Sequence, residues 1–235
     1  MEINKTNATN TKMDAYESQD FDAYIEQDRP EMLQFVPKYV SKVLDVGCAV
    51  GSFGHRLKVE YSAEVWGVEI NEYAASTAKK RLDKVFCGAF GKNLDLPKHE
   101  FDCIVFNDVL EHFVDPYTAL IYAKDLLTDS GKIVASIPNV RYFDNVWNLL
   151  INKDWQYTDR GILDRTHLRF FTKKSIISTF EDLGYSIECI QGIGDMQYVH
   201  PEQVKKYNLL NSLLMNQIED MKYLQFAVVA SPIKS

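Results

Sequence analysis

The run VLDVGCAVGSFG, from Val43 to Gly54, followed by VWGVE from Val65 to Glu69, decides how this chain folds. Val43 and Leu44 form an apolar run that reaches Asp45 and then breaks into closely spaced glycines. A strand must therefore end in a tight loop before a helix begins. Gly47, Gly51 and Gly54 accept turn conformations and leave room for a ligand or a packed strand where a Cβ would collide. A second strand closes on Glu69. An acid at that distance beyond a glycine loop is placed to accept hydrogen bonds from both hydroxyls of a ribose. Together the two features predict a site for an adenosine-bearing cofactor.

What the loop lacks narrows the choice. A dinucleotide site wants G-x-G-x-x-G, whose middle glycine lets the backbone reach a pyrophosphate. Ala49 stands at that position, and Asp45 precedes the loop. A carboxylate there repels a pyrophosphate but attracts an amine or a sulfonium. S-adenosyl-L-methionine carries both cations and no phosphate, so it is preferred over NAD, and an NAD-dependent oxidoreductase is disfavoured.

The segment DVGCAVGSFG, from Asp45 to Gly54, resembles the first motif of the class I S-adenosylmethionine-dependent methyltransferases, D-x-G-x-G-x-G, with Ala49 for the central glycine. FDCIVFNDVLEH, from Phe101 to His112, resembles their fourth-strand motif F-D-x-I-x-x-x-x-V-L-E-H, and GKIVASIPN, from Gly131 to Asn139, their fifth strand. RGILDRTHLRFFT, from Arg160 to Thr172, is similar to a subset of bacterial methyltransferases linked to the assembly of surface polysaccharides. The similarity runs from about Arg29 to Ile190. It implies an α/β fold: a Rossmann-like, seven-stranded, mostly parallel sheet with helices on both faces, an N-terminal helical cap and a helical insertion before the last strand. It also implies a cofactor site built from Asp45, Gly47, Cys48, Gly51, Glu69, Ile70, Phe90, Asn107 and Asp108. The third-strand motif departs from the family, with Gly88-Ala89-Phe90 where an acid usually meets the adenine amino group. Adenine recognition then falls to backbone groups and stacking on Phe90.

The whole chain sets outer bounds. Its 235 residues suit one α/β domain with a sizeable core. A net charge of −7 without any run of Lys or Arg argues against nucleic acid. No apolar stretch is long enough to span a bilayer, and the polar start MEINKT offers no apolar signal region, so a cytoplasmic location is expected. Cys48, Cys87, Cys103 and Cys189 lie far apart without zinc-site spacing and read as reduced structural residues. Cys48 alone, in the glycine loop, is expected to line the site through its backbone.

Residues 1–12 are rich in Asn, Thr and Lys and read as disordered, leaving 13–235 as a single methyltransferase domain. Within it, 14–40 forms the helical cap: Phe21, Tyr24 and Ile25 recur at helical spacing, and a second short helix from Glu31 to Val36 stops at Pro37. Strands and helices then alternate, which implies a parallel sheet covered on both faces. Asp115-Pro116 starts one helix, and Asp129-Ser130-Gly131 ends it. Thr172 caps another, with Ile176, Phe180 and Leu183 on one face and Gly184 as the stop. Strands are expected around Ile187 to Ile190 and Leu224 to Ala230. Between them lies the insertion 200–222, whose helix from Pro201 to Met221 carries Leu210, Leu213, Leu214, Ile218 and Met221 on one stripe. It either covers the pocket or forms a homodimer contact.

Methyl transfer to an alcohol needs alignment of nucleophile, methyl and sulfur, and it needs a base, because a neutral hydroxyl is a poor nucleophile at pH 7. Histidine suits that role. His55 reads as a surface or packing residue, and His99 and His200 as solvated ones. His112, in the matched Leu-Glu-His motif, and His167, framed by Asp164, Arg165 and Arg169, are the two candidate bases, each weighed against a purely structural role. No required metal is implied, although Asp108, Glu111 and Asp115 could gather one. The lid, 141–171, is expected to bind substrate through Arg141, Tyr142, Trp155, Arg160, Arg165 and Arg169, since aromatic faces suit sugar rings and arginine forks suit phosphate. The reading is O-methylation of a saccharide or its phosphorylated carrier in cell-surface glycan synthesis. A quinone precursor, an amino sugar or another small metabolite is the alternative acceptor. An inactive S-adenosylmethionine-binding partner subunit is the alternative of another class.

Overall fold

Val43 and Leu44 are fully buried in β1 (Lys42–Val46), the strand predicted ahead of the glycine loop. The computed structural model describes residues 28–234, so the expected disordered start and the Phe21, Tyr24, Ile25 segment lie outside the described residues. Beyond the loop, α/β units repeat: α2 (Ser52–Tyr61), β2 (Glu64–Glu69), α3 (Glu72–Ala78), β3 (Lys84–Cys87) and β4 (Phe101–Asn107). Then come α4 (Pro116–Leu126), β5 (Leu127–Pro138), α6 (Lys173–Asp182), β6 (Tyr185–Asp195) and β7 (Tyr223–Pro232). Short helices α1 (Pro30–Leu33), α5 (Phe143–Trp147), α7 (Met196–Val199) and α8 (Val204–Leu213) complete the set used below.

The seven strands form one sheet in the order β3-β2-β1-β4-β5-β7-β6. All neighbours are parallel except β7, which runs antiparallel to both β5 and β6. Alternation along the central strands feeds two cores. Leu44, Val46, Ile104 and Phe106 point to one face, against Leu120 and Leu126 of α4 and Ile176 and Phe180 of α6. Val43, Cys103 and Val105 point to the other, against Phe53 and Leu57 of α2 and Met32 of α1. Each such fully buried side chain contributes about 1.5–3 kcal/mol, so the middle of the sheet is the rigid platform and its rim is free to carry chemistry.

Several local expectations hold. Asp115 caps α4 by accepting from Thr118 N, Thr172 and Ser175 form a reciprocal capping box on α6, and Gly184 ends that helix with φ +73°. Others are corrected. The helix expected from Glu31 to Val36 is α1, Pro30–Leu33, seated on a proline at its first turn. The helix before Asp129-Ser130-Gly131 already ends at Leu126, because Leu127 pairs with Phe101 and begins β5. The insertion is not one helix from Pro201 to Met221. It comprises the 3₁₀ turn Pro201–Gln203, then α8, then a reversal through Met215 and Asn216, both left-handed, and a second 3₁₀ turn Glu219–Lys222. Asn211 drives that reversal by bonding Asn216 Oδ1 and Ile218 N. Leu213 and Leu214 of the expected stripe are consequently exposed. Cys87, read as structural, is exposed because β3 is an edge strand. No helix among the described residues is long and apolar enough to cross a membrane.

Candidate active site

The glycine loop turns back onto the end of β2. Gly47 N and Cys48 N both donate to Val68 O, at 2.8 and 3.1 Å, and Gly51 N donates to Cys48 O at 2.8 Å. The path requires left-handed backbone at Gly47 (φ +72°), Ala49 (φ +46°) and Gly51 (φ +81°). A Cβ on Gly47 would lie 2.7 Å from Val109 Cγ2. Ala49 N donates to Glu69 Oε2 at 2.9 Å and Asn71 N to Glu69 Oε1 at 2.8 Å, so the acid is locked onto the loop it was expected to face. Burial raises the Glu69 carboxyl above its ordinary range. Asp45, equally buried, is pushed up to about 7 by burial and then by the nearby Glu69 charge. Asp45 Oδ2 has no hydrogen-bond partner among the described residues. Two crowded carboxylates with spare acceptor capacity form a pocket that favours a cation.

The other cofactor-site candidates divide. Ile70 is exposed beside Glu69. Cys48 contributes no free amide, since its N–H is taken by Val68 O, and its thiol sits against Gly67. Phe90 is half-buried, its ring packed edge-on to Phe106 at 5.7 Å and against Tyr122 at 5.3 Å. At the end of β4, both side-chain amide atoms of Asn107 are buried without a partner among the described residues. Asp108, left-handed with φ +51°, is already engaged. Its carboxylate accepts from Ser136 Oγ (2.9 Å), Gln225 Nε2 (2.8 Å) and the Arg29 guanidinium, which also donates to Gln225 Oε1 at 2.9 Å.

A second cluster of titratable side chains forms where the 3₁₀ turn Leu110–His112 meets the lid. Leu168 N and Arg169 N both donate to Glu111 O, at 2.8 and 3.0 Å, which brings His167 over the turn. The His112 and His167 rings meet edge-on with centroids 4.7 Å apart, and His167 Nε2 lies 3.9 Å from Glu111 Oε1. Burial, then the neighbouring imidazole, lowers His112 to about 4, and burial lowers His167 as well, so both rings are neutral at pH 7. Burial pushes Glu111 up to about 8.

Most of the side chains expected to bind substrate have partners inside the chain. Arg141 forms a two-pronged pair with Asp220, at 2.7 and 3.1 Å, that ties the lid to the insertion. Tyr142 is buried with Phe143, Met196, Tyr207 and Met221 in a third apolar cluster. Arg165 pairs with Asp159 at 2.5 Å, and Arg169 donates to the carbonyls of Leu168 and Val114. Arg160 remains exposed, and Trp155 and Tyr157 flank Phe170 at 5.7 and 6.5 Å. Asp115 caps α4 and Asp108 pairs with Arg29, so the acids expected to gather near Glu111 do not. The histidines gather there instead.

Residues 16–190 match the family model described as a methyltransferase domain. The chain belongs to this methyltransferase family. Among relatives, the domain is 27% identical over 151 residues to the uncharacterized protein MJ1123 of Methanocaldococcus jannaschii, covering 64% of this chain and 66% of that one. It is 26% identical over 167 residues to sphingolipid C9-methyltransferase B of Emericella nidulans, covering 65% of this chain but 31% of the relative. The chain thus spans less than two thirds of the length of either. A crystal structure of a SAM-dependent methyltransferase from Archaeoglobus fulgidus shares the fold, with a TM-score of 0.62 at 21% identity over 85% of this chain and 90% of that one. The cofactor of the methyltransferase domain is S-adenosylmethionine, and the residues present fit it. The unpartnered Asp45 Oδ2 and the two orphaned Asn107 amide atoms are the groups a cationic, hydroxyl-bearing ligand would satisfy.

Sequence reasoning missed Arg29 and Gln225, which hold Asp108 from 79 and 117 residues away, and it missed Thr166. Thr166 Oγ1 donates to Asp164 Oδ1 at 2.7 Å and sits 3.1 Å from His112 Nδ1. The Asp-x-Thr-His spacing, with one residue between acid and hydroxyl, was the available signal for that last contact.

Proposed function

We propose that this domain is a methyltransferase acting on an oxygen of a small hydroxylated acceptor, with a saccharide or its phosphorylated carrier in cell-surface glycan synthesis as the substrate class. The observation that carries the reading is the pairing of two side-chain clusters beyond the strand ends. One holds the buried acids Asp45 and Glu69 on the glycine loop; the other holds two neutral imidazoles beyond β4. When bound, the cofactor supplies a methyl group on a positively charged sulfur, with a neutral thioether as the leaving group. Asp45 and Asn107 hold and orient its charged end, and Glu69 accepts from the ribose hydroxyls. The buried lid face excludes water from the reacting atoms. The Nε2 lone pair of His167 or His112 would accept the acceptor's hydroxyl proton, leaving its oxygen able to take the methyl group. The exposed Arg160, on the same segment as the ring cluster of Trp155, Tyr157 and Phe170, supports a sugar-phosphate acceptor.

Calorimetric titration with S-adenosylmethionine, its demethylated product and NAD tests the reading on wild type and Glu69→Ala. Binding of the first two without NAD, weakened at least tenfold in the variant, supports it. A folded protein that binds neither adenosyl ligand would overturn it, and nucleotide sugars and glycosyl phosphates are the acceptors to screen next.

A further inference from the structure

Glu111, His112 and His167 can each present one ligand atom such that all three lie within 4.8 Å of one another. The hydrogen bonds around them fix which ring nitrogens carry a proton and which keep a lone pair. Thr166 has a single hydroxyl proton and donates it to Asp164 Oδ1 at 2.7 Å. Thr166 Oγ1 and Thr166 O, at 3.1 and 3.3 Å from His112 Nδ1, are then both acceptors, so His112 carries its proton on Nδ1. His167 Nδ1 lies 2.9 Å from the carbonyl of Ile162, which also only accepts. Both rings are thereby held as the Nδ1–H tautomer and keep a lone pair on Nε2. The Nε2 of His167 faces Glu111 Oε1 at 3.9 Å.

Glu111 is the second, independent observation. Its side chain is 1% exposed, and neither carboxylate oxygen has a hydrogen-bond partner among the described residues. Arg29, the cation whose field reaches it, is occupied by Asp108, Gln225 and Glu31. A buried carboxyl group with no hydrogen-bond partner, beside imidazoles whose lone pairs are free, leaves polar atoms unsatisfied, and a cation that displaced its proton would join all three. Imidazole Nδ1–H groups pinned to carbonyl or hydroxyl oxygens are also how protein histidines are oriented toward metals.

We propose that Glu111, His112 and His167 form a binding site for one divalent ion of the zinc and cobalt class, with three protein ligands and a coordination position left open. Two imidazoles and one carboxylate suit a borderline ion better than magnesium or calcium, which prefer all-oxygen shells. Ligand bonds of about 2.0–2.2 Å require each atom to move inward by roughly 0.7 Å at most, within the reach of side-chain adjustment. The proposal deepens the acceptor-pocket reading and rests on it only for the use of the open position. An ion bound there takes both Nε2 lone pairs, so loaded and ion-free pockets treat an acceptor hydroxyl differently, by coordination in one and by proton acceptance in the other.

The test is titration of the full chain, stripped with chelator, with Co²⁺ followed by its visible ligand-field absorption, then displacement by Zn²⁺. One ion per chain is expected, with at least tenfold weaker binding in His112→Ala and in His167→Ala, and about 10–100-fold in Thr166→Val, which frees His112 to rotate. Calorimetry with the demethylated cofactor product serves as the fold control, since its site lies at the other pocket. Absence of stoichiometric binding, or binding unchanged in both histidine variants while the control ligand still binds, overturns the proposal. A chain that binds the ion but no adenosyl ligand keeps this site and loses the methyltransferase reading; the reverse pattern does the opposite.

Discussion

The backbone N–H of Ala49 donates to Glu69 Oε2 at 2.9 Å, so the residue that departs from the family's glycine is also the one that clasps the acid of the second strand. That clasp holds an alanine at φ +46°, in the left-handed region that Cβ disfavours. The loop keeps its path because Gly47 and Cys48 are bonded to Val68 O on one side and Gly51 to Cys48 O on the other.

Ala49→Gly is expected to raise stability by about 0.5–1 kcal/mol, the relief of left-handed strain outweighing the extra freedom of glycine in the unfolded chain. Urea unfolding of the ligand-free protein measures it, and a loss of stability would show that the alanine methyl is packed favourably.

Asp45 predicts a pH dependence of cofactor binding. Its carboxyl is raised to about 7 in the ligand-free protein, and the charged form is the one that attracts a cation. Affinity should therefore rise by about fivefold between pH 6 and pH 7, as the ionised fraction climbs from about a tenth to about a half. In Asp45→Asn the dependence should flatten and binding weaken. The same raised pKa has the opposite sign for folding: the ligand-free chain gives up stability as pH climbs from the unfolded value near 3.8 toward 7, so Asp45→Asn should resist urea better than wild type at pH 8. A flat calorimetric profile from pH 6 to 7 in wild type would remove Asp45 from cation binding.

Gly67→Ala should destabilise by about 1–3 kcal/mol through overpacking. A Cβ there would lie 2.6 Å from Cys48 Sγ and 2.8 Å from Leu82 Cδ1, between the glycine loop and the sheet. Thermal and urea midpoints report the loss. Unchanged midpoints would mean that the thiol and the leucine repack freely.

Arg29→Met should cost about 1–3 kcal/mol, because it leaves a half-buried Asp108 with only Ser136 and Gln225 as donors. Gln225→Leu in the same background should then cost less than it does alone, since the three groups form one network. Additive losses in the double-mutant cycle would dissolve that network into independent contacts.

The parts of this molecule that were legible in its sequence are those set by neighbours along the chain. Val43 to Glu69 spelled out strand, loop, helix, strand and acid because backbone geometry alone constrains that unit. Thr172 and Gly184 bounded α6 for the same reason. Contacts across the fold were not legible. Nothing near Arg141 announces Asp220, 79 residues later, which engages its guanidinium twice. The stripe from Leu210 to Met221 reads as one helix until Asn211 reaches across to Asn216 and Ile218 and reverses the chain. Phe90 looked available because its neighbours Phe106 and Tyr122 lie on other elements. Both histidine candidates were found, but their meeting with Glu111 depends on the lid's course, which no local pattern specifies.

Leu168 and Arg169 hang by their amides from the carbonyl of Glu111, the residue whose side chain stands beneath His167. The lid and the pocket floor are thus one joint rather than two parts. A lineage acquiring a new acceptor cannot exchange residues 141–171 as a cassette without also inheriting a compatible turn after β4. Engineers who graft a foreign lid onto this sheet would need to carry Leu110–His112 across with it.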